Sequence, residues 1–151
     1  VFNGAFDEVN LDQLAADMWW LLFPQHFHHV WLACRALQGK PTPFMTPRSR
    51  RLVAWAPVVR TLYQRIQDEA GAEVIIDSSK NPFYGYYLGC LPGVELTLVQ
   101  LTRDVRGVVH SRSKPKPDPV SGKPLPVTPP WRVLAAWSFW NSITPVVGRR
   151  F

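Results

Sequence analysis

A chain of 151 residues with 46% hydrophobic and 13% aromatic side chains has the length of one domain and enough apolar content for a packed core, which excludes a disordered polymer. Its formal charge of +6 suits an anionic partner, whether nucleic acid, phosphorylated cofactor or sulfated polymer. That charge alternates by block, −2 over 1–40, +5 over 41–67, −4 over 68–102, +4 over 103–123 and +3 over 124–151, a pattern of local anion sites and not of a polybasic arm.

The segment LDQLAADMWWLLF spaces Leu11, Leu14, Ala15, Met18 and Leu22 as one face of a helix, with Asn10 as its N-cap. A second helix is predicted over 26–38, and KPTPFMTPRSR breaks it. An amphipathic helix then runs from about Ser49 to Ala70, kinked at Pro57 and stopped by Gly71. Beyond it the pattern changes. AEVIIDSS is a short apolar run bounded by polar residues, the form of a buried parallel strand, and VELTLVQLT is a second one. Between them NPFYGYYLGCLPG supplies a short helix or turn, and the separation is long enough for a crossover. The expected fold class is therefore α/β, a parallel sheet flanked by helices. Asp104 is predicted to cap a helix over about 105–113, a proline-rich loop follows over 115–130, and WRVLAAWSFWNSITPVV closes the chain as a helix.

In a parallel α/β sheet, ligands sit beyond the carboxyl ends of the strands. Those ends here read Asp77-Ser78-Ser79-Lys80 and Thr102-Arg103-Asp104. A lysine and an arginine beside a helix N-terminus suit an anion, through a mobile point charge, a planar fork and free backbone N–H groups. Positions 104, 107/108 and 111 share a helix face, so Ser111 lies where a hydroxyl adds a further donor. Spacing alone leaves a second reading open, in which Arg103 and Asp104 form a surface ion pair and Ser111 is merely tolerated.

The two blocks VIIDSSKNP and LTLVQLTRDVRGVVHSRSK resemble the sulfotransferases that use 3′-phosphoadenosine 5′-phosphosulfate (PAPS), in the bacterial branch akin to carbohydrate sulfotransferases. Asp77, Ser78, Ser79, Lys80 and Pro82 match the family's first block. Leu101, Arg103, Asp104, Arg106, Gly107, Val108, Ser111 and Lys114 match its second, and Trp137-x-x-x-Asn141 agrees with its closing helix. The similarity is strong over 74–114, weaker over 131–141 and loose elsewhere. It implies a P-loop-NTPase-like parallel sheet, with Arg103 and Ser111 on the 3′-phosphate of PAPS as co-substrate and Lys80 as the catalytic cation near the sulfuryl group. It also implies a partial domain over 1–151. The N-terminal phosphosulfate-binding loop (Arg-Ser-Gly-Ser/Thr) is expected before Val1 and an Arg-Tyr-Glu-Asp strand after Phe151, so this stretch alone is expected to be inactive.

The implied reaction is sulfuryl transfer from PAPS to a hydroxyl or amine of a small-molecule or glycan acceptor; the alternative is a non-catalytic anion- or nucleotide-binding module of the same fold. No metal is expected: in HFHHVWLAC, positions 26 and 29 share a helix face, but 28 points elsewhere and no carboxylate falls nearby. No nucleic-acid partner is expected either, because PRSRR lacks interleaved aromatic residues. The tryptophans suit a core, with two or three available to line an acceptor site, and the proline-rich loop reads as either a lid or a plain connection. No run of about 18 apolar residues is present, so no transmembrane segment is expected, and VFNGAFDEVN has no secretion-signal pattern. Cys34 and Cys90 form no CxxC or metal-ligand spacing, so a reduced compartment is the default and a cytoplasmic location is expected.

Overall fold

The computed structural model describes residues 10–20 and 26–149. Among them are six helices: α1 Leu11–Trp20, α2 Phe27–Leu37, α3 Pro47–Ala70, α4 Pro82–Leu88, α5 Val105–Arg112 and α6 Pro130–Gly148. The chain divides into two compact units, Val1–Thr97 and Leu98–Phe151.

The first unit packs α3 against α1 and α2, and α4 against α2. Its helices begin and end where local chemistry dictates. Asn10 accepts the backbone N–H of Gln13 at 2.9 Å, so it caps α1 as the sequence predicts; Leu22, part of the same expectation, lies outside the described residues. Thr46 caps α3 by accepting from the Ser49 N–H at 3.1 Å, with Pro47 next to it in the first turn, so the helix starts two residues before the predicted Ser49. Gly71 ends it at φ 58°, a left-handed position where glycine carries no Cβ penalty. Val30, Ala33 and Cys34 of α2 face Leu52, Ala56 and Val59 of α3 and Phe83, Tyr86 and Tyr87 of α4, all buried at helical spacing. Phe27 packs its ring 4.9 Å from that of Phe83, and the Tyr87 hydroxyl donates to the Leu52 carbonyl at 2.7 Å.

The expected α/β fold, with its P-loop-NTPase-like parallel sheet, is not found: the described residues form an all-helical structure whose β content is one isolated antiparallel bridge, Pro117 to Pro124. Both predicted strands are irregular chain. Val74 and Ile76 in the first are 76% and 92% exposed, and Val99 and Leu101 in the second 75% and 92%, where a parallel strand would bury both faces. Burial along 94–100 does alternate, with Val94, Leu96, Leu98 and Gln100 half-buried and Glu95, Thr97 and Val99 exposed. That is the periodicity of extended chain, but a strand also needs ladder partners, and no backbone hydrogen bond joins the two segments among the described residues.

In the second unit α5 packs on α6. Of the α6 side chains only Val133 and Val147 are buried; Trp131 is exposed and Trp137 and Trp140 are half-buried, so this helix is not the apolar core its composition suggests. The side chains of Trp19 and Trp20 lie outside those described. Among the described residues, no helix is long and apolar enough to cross a membrane.

Candidate anion-binding site

Asp104 caps α5 by accepting from the Arg106 N–H at 2.8 Å, and Arg106 folds its guanidinium back onto the same carboxylate, Nη2 to Oδ2 2.7 Å. The Arg106 side chain first, and its N–H second, hold the Asp104 carboxyl below its ordinary range. The ion pair open in the sequence as Arg103–Asp104 is thus Arg106–Asp104, and Arg103 is left over. Its guanidinium lies across the first turn of α5, where a Cβ at Gly107 would sit 3.5 Å from Nε and 3.7 Å from Nη2. Ser111 follows Gly107 by four residues, on the same helix face about 6 Å further along. Its Oγ accepts from Lys116 Nζ at 2.8 Å, and its own proton has no acceptor among the described residues. Neither Arg103 nor Lys116 meets a carboxylate among those residues.

α6 fixes this arrangement from the other side. Trp137 donates its indole N–H to the Arg103 carbonyl at 3.0 Å. One turn on, Asn141 Oδ1 accepts from Gln100 Nε2 at 3.1 Å and from the Thr102 hydroxyl at 3.2 Å. The Trp137-x-x-x-Asn141 spacing noted in the sequence therefore holds segment 100–103 in place at the entrance to α5. A guanidinium fork, an ammonium and a free hydroxyl proton around one helix face are the donor set for a tetrahedral oxyanion.

The proline-rich stretch is built as a hairpin. The Asp118 and Lys123 backbones are joined by an N–H to O bond of 2.7 Å, and Leu125 N donates to the Lys116 carbonyl at 2.7 Å. Pro117 and Pro124 face each other at the non-hydrogen-bonded position between these, the place in an antiparallel pair where a missing N–H costs nothing. Asp118 closes the tip by accepting from Val120 N and the Ser121 hydroxyl, and Gly122 turns at φ 67°. Lys116 was the residue the sequence did not single out; the Asp118-to-Gly122 turn flanked by prolines was the signal available for it.

No protein-family model, curated protein or solved structure matches the chain. The site stands on its own geometry.

Lys80, the other predicted site residue, belongs to the first unit, whereas Arg103 and Ser111 belong to the second. It is the non-glycine residue with positive φ among those described, at 62°. Its neighbours explain how it is held there. Asp77 accepts from the Ser79 N–H at 2.7 Å and from the Tyr63 hydroxyl, which also lies 3.2 Å from that of Tyr84. On the other side Asn81 Oδ1 caps α4 from the Phe83 and Tyr84 N–H groups, and Pro82 opens the helix. Burial pushes the Tyr63 phenol above its ordinary value, with the Asp77 hydrogen bond second, so it stays a donor. Lys80 itself has no ion-pair partner among the described residues, and Asp77 is taken by Tyr63. A left-handed L-residue costs roughly 1–2 kcal/mol, offset in a glycine replacement by the looser unfolded chain. Lys80→Gly should accordingly raise stability by about 0.5–1 kcal/mol, and Lys80→Met should change it little, as read by urea denaturation. Loss of stability in the glycine variant would mean that the side chain packs.

His29 links α2 to the start of α3. His29 Nδ1 lies 2.7 Å from Thr46 Oγ1, the α3 cap, and burial first, with His28 and Arg48 next, lowers its pKa to about 4. Among the described residues no group of three or more His, Cys, Asp or Glu is placed to hold a metal ion.

Proposed function

We propose that this chain carries the 3′-phosphate-binding part of a PAPS-dependent sulfotransferase acting on a small-molecule or glycan acceptor. The observation that supports the reading is a pair of cations without a carboxylate partner among the described residues, Arg103 over Gly107 and Lys116 on Ser111, at successive turns of α5, while the nearby acid Asp104 is engaged by Arg106. Arg103 and Ser111 bind the phosphate that distinguishes PAPS from ATP. Lys80 neutralises charge on the transferring group; its left-handed backbone is the kind of local strain that functional positions retain. In the transfer itself the acceptor oxygen or nitrogen attacks sulfur in line, the bond from sulfur to the bridging oxygen of the 5′-phosphate breaks, the acceptor's proton passes to a base, and adenosine 3′,5′-bisphosphate leaves. Catalysis of such a step is mainly positioning and electrostatic stabilisation. Cys34 and Cys90 are buried and form no disulfide with each other, which suits the reducing cytoplasm.

A non-catalytic nucleotide-binding module is the second reading. The all-helical fold favours it, because the anion face is built by α5 and its neighbours and asks nothing of the unit that carries Lys80. Calorimetric titration with adenosine 3′,5′-bisphosphate and with adenosine 5′-monophosphate tests both readings. The bisphosphate should bind at least about tenfold tighter, the worth of one charge-assisted hydrogen bond. Equal affinities would overturn the phosphate assignment. Conversion of PAPS to the bisphosphate by this chain would exclude the module.

A further inference from the structure

We propose that Lys116 is a third ligand of the anion held by Arg103 and Ser111, presented to it by the 116–125 hairpin; this rests on the phosphate-binding reading above. Three observations carry it. The first is the hydroxyl relay: Lys116 Nζ donates to Ser111 Oγ at 2.8 Å, which uses a lone pair of the serine and leaves its proton to point at a bound oxyanion.

The second is the way the lysine is held. A four-carbon side chain loses rotamer freedom when fixed, and a neutral hydroxyl is a weak reason to fix it. The hairpin that carries it, however, is tied down at two points. The Lys116 carbonyl takes the Leu125 N–H at 2.7 Å, and the Thr128 N–H ties the far end of the loop to the Arg112 carbonyl at the end of α5, 3.2 Å. The hairpin thereby returns to the helix that bears Ser111, and Lys116 stands at its base. The third is the absence of a competing acid: Asp118, the carboxylate of the hairpin, is committed to Val120 N and the Ser121 hydroxyl at the tip. Two cations and a hydroxyl on one helix face complement a dianion, which a phosphate monoester is at neutral pH, its second pKa being about 6. They complement a singly charged phosphodiester less well.

The test is calorimetric titration of the full chain and its Lys116→Gln, Lys116→Arg and Arg103→Ala variants, with adenosine 3′,5′-bisphosphate and adenosine 5′-monophosphate as probes and a melting curve for each protein. Lys116→Gln should weaken bisphosphate binding about tenfold, leave 5′-monophosphate binding and the melting temperature unchanged, and Lys116→Arg should restore most of the affinity. If Arg103→Ala loses affinity while Lys116→Gln does not, Lys116 is no ligand and the phosphate reading survives. If Lys116→Gln weakens both nucleotides equally, it acts as a general surface charge, which also overturns the proposal. If neither variant alters bisphosphate binding, the phosphate reading itself falls.

Discussion

Tyr87→Ala should cost the first unit about 3–5 kcal/mol, the usual loss for an aromatic removed from a packed core. Tyr87 is fully buried, on the face of short α4 that packs on α2, and its hydroxyl donates to the Leu52 carbonyl of α3 at 2.7 Å. One side chain thus links α4 to α3 while its ring fills the space against α2. The bond meets α3 just before Pro57, where the missing N–H leaves the Val53 carbonyl without its helical donor and weakens the helix. Burial pushes the Tyr87 phenol above its ordinary value, so the donor stays protonated at neutral pH. Tyr87→Phe keeps the ring and loses only this bond, so it should cost about 1 kcal/mol. Hydrogen exchange resolves where the loss falls. Amides of α2, α3 and α4 should exchange faster in Tyr87→Ala, and those of α5 and α6 should not. A uniform acceleration across all helices would mean that the two units unfold together.

The helices were legible because their signals are local. Asn10, Gly71 and Asp104 each act within a few residues of themselves, and each caps or stops a helix as its chemistry predicts. The strands were misread because an apolar run such as VIIDSS looks the same whether or not a second strand lies beside it, and pairing is a non-local fact. The same division runs through the site. Arg103, Gly107 and Ser111 lie at successive four-residue steps from the entrance of α5 to its last turn, so periodicity finds them. Lys116 reaches Ser111 only through the hairpin, and Trp137 reaches the Arg103 carbonyl from another helix. Arg106, not Arg103, takes Asp104, because the cap geometry turns the carboxylate toward the residue two further on, whose N–H it already accepts. Adjacency in sequence suggested the other arginine and was a poor guide to direction.

Arg103→Ala should lower affinity for adenosine 3′,5′-bisphosphate by about a hundredfold. The loss is a planar fork of two charge-assisted hydrogen bonds, each worth about 1.5–3 kcal/mol, taken at the low end because the residue is exposed. Arg103→Lys keeps the charge but not the fork, so it should recover only part of the loss. Gly107→Ala is the geometric control. Its added methyl would lie 3.5 Å from Arg103 Nε, an ordinary contact, so the guanidinium need not move and affinity should hold, while α5 gains about 0.5–1 kcal/mol from the loss of a helical glycine. Trp137→Phe tests the support from α6: without the indole donor to the Arg103 carbonyl, binding should fall by less than in Arg103→Ala. Salt separates charge from shape. At 1 M ionic strength the screening length drops to about 3 Å, so the gap between Arg103→Lys and Arg103→Ala should close, whereas the gap between the parent chain and Arg103→Lys, which depends on fork geometry, should persist. If all three proteins converge at high salt, Arg103 attracts the nucleotide without gripping its phosphate.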